Sequence, residues 1–402
     1  MNSLSFNIHI RLWGGFVNRL ISSAIFPFMA IYLSNIINVK FSSIFLTSVV
    51  VLSFIVNVVS GYLIDRLPRK KVLIISSYSE AFSLLLLGVS IYYAEAYIFL
   101  TSYILYTLFS SFRRPSLTAL IQDSVNDQNR ELVFRIDYWL INLSLALGTF
   151  LGGILYENYK VYLFFAAFIS TFTLSLIYTF FISETYEFMQ QKKKKNIVVD
   201  LLSSYRDVLK DKRFVLLTLG MLILFSGEMS TYSYVAVRLA HDFTPINIFS
   251  LNVSGVTMFS YIGVINTLIV VLFTFSIEAV TKKINQQSVL IMGLLIYCIG
   301  YSINFTANIW WILVIGTIAA SFGELIYAPI TNSKMLDLIP FNKRGSYNAF
   351  YSLSSTGAEF VSRLTILLYP IVSSLVVSLV YFIILCIGSL IVYFSLYKWR
   401  VL

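Results

Sequence analysis

The sequence predicts an all-α integral membrane protein with twelve transmembrane helices in two six-helix halves and both termini in the cytoplasm. Three observations carry this expectation: an apolar composition, twelve apolar segments long enough to cross a bilayer, and basic residues gathered almost wholly on one side of them. Of 402 residues, 58% are hydrophobic, 16% aromatic and only 12% charged, and the mean hydropathy is +0.81. Soluble domains are about 45–50% apolar, with roughly a quarter of their residues charged. A water-soluble fold of this length has nowhere to hide so much apolar surface, so its solvent is lipid. The formal charge of +10 raises nucleic acid as a partner. That is not expected here, because the basic residues lie in short loops between apolar runs.

A spanning helix needs about 20 predominantly apolar residues. Such stretches occupy residues 11–35, 42–64, 72–93, 96–118, 133–156 and 161–182, then 213–237, 255–279, 288–306, 309–331, 346–370 and 373–396. The first runs on through Gly14 to Leu33. It exceeds the core of about 7–15 residues that marks a cleavable signal, so it is expected to stay in the membrane. Tight hairpins are expected at Ala94–Ala96 and Ala307–Ile309, where little polar sequence separates neighbours. The one long polar stretch, 183–212, contains Lys192–Lys195 and divides the chain into an N-terminal half (1–182) and a C-terminal half (213–402). It reads as a solvated linker that can also attract anionic lipid at the inner leaflet. Six segments on each side suggest duplication, and Lys71-Val-Leu-Ile74 falls opposite Ser288-Val-Leu-Ile291 when the halves are overlaid, although identity is slight.

Orientation follows from the loops. With both termini and the even-to-odd connections on one side, that side collects Arg11, Arg66, Arg69, Lys70, Lys71, Arg113, Arg114, Arg130, Arg135, the linker basic residues, Arg213, Lys282, Lys283, Lys334, Lys343, Arg344, Lys398 and Arg400. The opposite side holds only Lys40, Lys160 and Arg238. The basic side is expected to be cytoplasmic.

The loop after the second segment reads Gly61-Tyr-Leu-Ile-Asp65-Arg66-Leu-Pro68-Arg69-Lys70-Lys71. It resembles the signature loop of the major facilitator superfamily, G-x-x-x-D-R-x-G-R-[RK], with Pro68 in place of the glycine. The resemblance implies the major facilitator fold and a latch role for Gly61, Asp65, Arg66, Arg69 and Lys70 during alternating access. The fifth segment carries Ser144-Leu-Ala-Leu-Gly148-Thr149-Phe-Leu-Gly152-Gly153, similar to the antiporter motif G-x-x-x-G-P-x-x-G-G without its proline. Small residues at this spacing also serve plain helix packing, so Gly148, Gly152 and Gly153 fit either role. Gly323-Glu324-Leu-Ile-Tyr327-Ala-Pro329, Arg344-Gly345-Ser-Tyr347, Asn18-Arg19 and Phe26-Pro27-Phe28 resemble the twelve-helix drug–proton antiporter branch, in particular lactococcal-type multidrug exporters. A metallophore exporter of the same branch fits the resemblance too.

Ionisable residues inside membrane helices cost about 2.5–3.5 kcal/mol each on insertion scales, so each is a functional candidate. Here they are Arg19, Glu80, Asp137, Glu228, Glu324, Glu359 and Arg363. A carboxyl in an apolar bundle can load and release protons near neutral pH. Glu324, where the resemblance falls, is the first candidate for proton coupling and Glu228 the second; either can instead be neutralised by a neighbouring Arg. Glu359 and Arg363, four apart on one helix face, either pair or line a substrate cavity. Arg19 is a further cavity candidate, since a guanidinium forks onto carboxylates, and Asp137 reads as a gate near the cytoplasmic mouth. The role of Glu80 is open. Among the aromatics, Tyr327, Trp139, Tyr232, Tyr234 and Phe350 are candidates for a cavity wall.

No phosphate-cradling loop or metal-ligand cluster is present, His9 and His241 lie outside the apolar cores, and Cys298 and Cys386 read as packing residues. The expectation is therefore not an enzyme, with no metal and no cofactor. It is a multi-pass transporter of the cell membrane, driven by the proton gradient and exporting small organic molecules by antiport. Its partners are a small-molecule substrate, protons and membrane lipids, and it is expected to work as a monomer. The substrate is either an amphipathic drug or dye, or a small zwitterionic metabolite such as a metallophore; nutrient uptake is a further alternative.

Overall fold

In lipid every backbone N–H and C=O must find its partner within the chain, and an α-helix does so locally. The computed structural model describes residues 6–64, 67–124, 130–183, 206, 208–248, 251–281, 284–340 and 344–398, and these are helical almost throughout. Helix α1 (Phe6–Ile25) passes through a tight turn at Phe26–Phe28, where Pro27 sits, into α2 (Met29–Ile36). Then follow α3 (Val39–Ile64), α4 (Arg69–Tyr92), α5 (Ala96–Ser124) and α6 (Arg130–Phe181). Beyond the linker come α7 (Lys212–Ser230), one widened turn at Thr231–Val235, and α8 (Ala236–Asp242). After these lie α9 (Gly255–Thr281), α10 (Gln286–Thr306), α11 (Trp310–Leu338), α12 (Arg344–Thr365) and α13 (Ser374–Tyr393).

Among the described residues, nine helical stretches are long and apolar enough to cross a membrane. Nine such stretches set against twelve expected segments have two physical explanations. Segments 133–156 and 161–182 run together as α6, bent where Tyr159 leaves helical geometry (φ −124°, ψ 18°), and count as one stretch of 43 residues. Segments 96–118 and 346–370 form α5 and α12, which carry many Ser, Tyr and charged residues and are less apolar than the nine. The all-helical expectation also missed a small hairpin, in which Ile246–Ile248 (β1) pairs antiparallel with Leu251–Val253 (β2), Ile246 opposite Val253.

The chain forms two compact units, one of Met1–Met29 and Ser48–Lys192, the other of Ala30–Thr47 and Lys193–Leu402. In the first, α1 packs on α6, and α4 packs on both α5 and α6. A Cβ on Gly148 would collide with Leu20 O and Ser23, and one on Gly152 with the Phe28 ring and Ala24 O; Gly153 beside them is buried. Only residues without side chains let α1 and α6 run this close. In the second unit α10 packs on α11 and α13, α7 packs on α12 and α13, and α9 on α11. Its core holds Leu290, Leu294, Tyr297, Tyr327 and Leu385.

Large apolar side chains such as Phe82, Phe180, Leu272 and Ile383 face outward, as a lipid-solvated fold requires. Many buried hydroxyls are satisfied by bonding back one turn: Ser83 donates to Ser79 O at 2.8 Å, Ser175 to Thr171 O and Ser302 to Cys298 O at 2.7 Å. Cys298 is buried, Cys386 partly so, and both are free thiols.

Several basic residues counted with the loops belong to helices instead. Arg11 and Arg113 are buried within α1 and α5. Arg238 is buried in α8, where its guanidinium collects the C-terminal carbonyls of α10: Ala307 O at 2.7 Å, Asn304 O at 3.2 Å and Thr306 O at 3.4 Å, with Asn308 Oδ1 beside them. The count of basic residues by connection cannot separate a solvated loop Arg from one that a helix end or a carboxylate holds.

Candidate functional site

The intramembrane charges fall into two kinds. In the first unit they neutralise one another. Arg113 donates through Nε and Nη2 to the two carboxylate oxygens of Glu80, and Nη2 also donates to Asn18 Oδ1 at 2.9 Å. Asn18 passes the chain on, donating to Thr171 Oγ1 at 2.9 Å. Arg19 Nη2 meets Asp137 Oδ1 at 2.8 Å, so the cavity candidate and the gate candidate form one partly exposed pair. Glu80, whose role the sequence leaves open, is thus the acid of a buried ion pair.

The second unit differs. Glu359 and Arg363 pair along α12 at 3.4 Å, and Arg363 Nη1 also donates to Tyr232 O at 3.2 Å. That carbonyl lies in the widened turn Thr231–Val235, which Ser233 further ties to Ser362 O at 2.8 Å. Such widened turns recur at functional sites because they shift the helical register by one residue and re-aim side chains. Just before this turn, Glu228 opens onto a small pocket lined by Thr231, Tyr232, Asn266, Tyr301, Asn304 and Thr317, among others.

Glu324 lies next to this pocket. It lies close to Glu228, and the Asn266 side chain lies within hydrogen-bonding reach of it. Asn266 also donates to Ser321 Oγ at 2.9 Å, one turn before Glu324 on α11. Among the described residues no Lys or Arg bears on either carboxyl group. The fold therefore brings Glu228 and Glu324 together and leaves Arg19, Asp137, Glu359 and Arg363 in pairs.

Tyr327 is buried beside Tyr297, ring centroids 5.1 Å apart, and is not among the residues lining this pocket. Of the other aromatic candidates, Tyr232 lines it, Tyr234 stacks on Phe305, Phe350 is buried in the core and Trp139 faces outward. Gly61 lies in the last turn of α3 and Arg69 and Lys70 in the first turn of α4, whereas Asp65 and Arg66 lie outside the described residues.

Sequence reasoning passed over Asn266, Asn304, Thr231 and Thr317. The signal available was an amide inside each of segments 255–279 and 288–306, where a polar side chain must find a partner or a water-filled space.

Residues 12–263 match the model of the Major Facilitator Superfamily. A Na(+), Li(+), K(+)/H(+) antiporter of Planococcus maritimus is 24% identical over 375 residues, covering 90% of this chain and 88% of the relative. The MFS-type transporter YhjO of Bacillus subtilis (strain 168) is 21% identical over 356 residues, covering 86% of this chain and 82% of the relative. Among solved structures, a POT family transporter in complex with 5-aminolevulinic acid superposes with a TM-score of 0.74 at 13% identity over 96% of each chain. The nucleoside transporter NupG superposes with a TM-score of 0.74 at 12% identity, over 98% of this chain and 100% of that one. At these identities the structural likeness is one of fold. With its membrane-crossing helices and its match over more than half its length, the chain belongs to the Major Facilitator Superfamily and is a multi-pass membrane transporter, not an enzyme.

Proposed function

We propose that this transporter is a proton-coupled antiporter that exports small, positively charged substrates across the cell membrane by alternating access, with Glu324 and Glu228 as the shared site of proton and substrate. One observation carries the reading: these two carboxyl groups lie close together beside one pocket, which Glu228 lines, with no described basic residue to neutralise them, while every other described intramembrane acid has its arginine. Two carboxylates in a low-dielectric pocket repel each other, so a positive charge must accompany them. A proton in one state and a cationic substrate in the other satisfies that need and makes the two compete. The activity of the Planococcus relative on Na(+), Li(+) and K(+) against H(+) supports a cationic substrate class.

The engagement of Arg19 by Asp137 and of Arg363 by Glu359 favours cations over zwitterions such as a carboxylate-bearing metallophore, since neither guanidinium is left over for a substrate carboxylate. Amphipathic cationic drugs and dyes remain within the class. The same reading takes the proton gradient as the energy source, twelve spans with cytoplasmic termini, a monomer, and the loop from Gly61 through Asp65 and Arg66 to Arg69 and Lys70 as the latch. The test is transport in proteoliposomes under an imposed pH gradient. Glu324→Gln is expected to abolish gradient-driven export of a cationic dye or of sodium while the protein stays monodisperse; full activity in that variant sinks the assignment.

A further inference from the structure

Two residues that line the pocket at Glu228 carry a buried side-chain oxygen without a hydrogen-bond partner, and Glu324 carries a third. Among the described residues, Thr231 Oγ1, Asn304 Oδ1 and Glu324 Oε2 are buried without a hydrogen-bond partner. Thr231 is 6% and Asn304 1% exposed, and both line the pocket with Glu228. The orientation of the Asn304 amide follows from its neighbour. Thr317 Oγ1 donates its one proton to Leu313 O at 2.8 Å, so toward Asn304 it can only accept. Asn304 Nδ2 supplies that bond at 3.1 Å, which leaves Oδ1 beside the Gly316 backbone with no N–H to meet it.

The same logic orients Asn266. Ser321 Oγ donates to Thr317 O at 2.8 Å and therefore accepts from Asn266 Nδ2. Two hydroxyls on one helix thus turn two amides in a fixed sense, and the pocket is left rich in acceptors. A neutral organic ligand offers too few donors for such a set. A hard cation suits it, because carboxylate, amide and hydroxyl oxygens are the ligands such ions prefer. No group of three or more His, Cys, Asp or Glu side chains gathers among the described residues, so the donor set does not match a transition metal.

We propose that the Glu228 carboxylate, Thr231 Oγ1 and Asn304 Oδ1 form a binding site for a partly dehydrated alkali-metal cation, with Glu324 supplying the second negative charge. This rests on the reading of the pocket as the antiport site and names the small cation that exchanges there. The pocket has room for about one water-sized occupant, so the ion would sit there largely stripped of its own water. The widened turn begins at Thr231, just past Glu228, and brings Thr231 into the pocket wall.

The test is equilibrium binding of radiolabelled sodium to the purified full chain in nanodiscs, in alkaline buffer and without any gradient. Saturable binding is expected, with potassium and lithium as competitors. Asn304→Leu and Thr231→Val should each weaken it by about tenfold or more, the scale seen when a group of a metal site is lost. Asn304→Asp, which keeps an oxygen in place, should retain it, and this separates loss of a ligand from loss of the fold. Absence of saturable binding in the unmodified protein overturns the site, as does unchanged binding in both Asn304→Leu and Thr231→Val. Should sodium fail to bind while a pH gradient still drives dye export, the cation site falls and proton-coupled antiport stands. Should sodium bind saturably while a pH gradient drives no exchange, the cation site stands and proton-coupled antiport falls.

Discussion

Arg113 embraces Glu80 in the interior of the first unit, its Nη2 lying 3.1 Å from Glu80 Oε1 and 2.9 Å from Asn18 Oδ1. Both charged side chains are almost wholly buried, so each relies on the other for its solvation. Removing one partner leaves an uncompensated buried charge, whereas removing both leaves none. Arg113→Met is expected to lower stability by about 3–5 kcal/mol, and the double variant Arg113→Met/Glu80→Leu to recover most of that loss. Thermal unfolding of detergent-purified protein reads the difference; a double variant as unstable as the sum of the two single ones contradicts the pairing argument.

Arg238 is the cap of α10. Its guanidinium takes up carbonyls that helix geometry leaves without partners, a role that a cation at a helix C-terminus fills well. Arg238→Met keeps most of the side-chain volume and strands those acceptors. The expected cost is about 1–3 kcal/mol, visible as earlier unfolding and faster amide exchange at Asn304–Asn308. Because Asn304 also carries a pocket oxygen, cation affinity should fall in the same variant.

Ala94 is the one described non-glycine residue with positive φ, at 56°. It closes α4, with Glu95 N donating to Ser90 O at 2.8 Å across it, and this wrapping of the last turn needs a left-handed residue at that place. The Cβ of alanine is strained there, and glycine relieves it. Ala94→Gly is expected to raise stability by about 0.5–1 kcal/mol, with transport unchanged; a fall in unfolding temperature counts against a strained turn.

Much of this architecture is legible in the residues, and the reasons differ from element to element. The apolar runs behind α4, α7, α10 and α13 announce helices in lipid because no other open structure satisfies its backbone there. Glu228 and Glu324 stand out for a related reason, as carboxyls amid apolar neighbours. Arg113 does not, because a guanidinium near a segment end looks the same whether it meets water or Glu80, 33 residues away in the chain. Asn304 and Thr231 are hidden by their chemistry, since hydroxyls and amides in membrane helices commonly find a partner close by.

Composition, hydropathy and the signature loop by themselves determined that this chain is a helical membrane transporter and marked the acids inside its helices. Only the tertiary structure decided which acids are neutralised and which lie together without an arginine. Insertion energy depends on what a residue is, and that is written locally along the chain. Pairing depends on which helix faces meet, and contacts between residues far apart in sequence settle it. Glu80 meets its arginine across two helices, Glu359 finds one a single turn away, and Glu228 meets Glu324 instead.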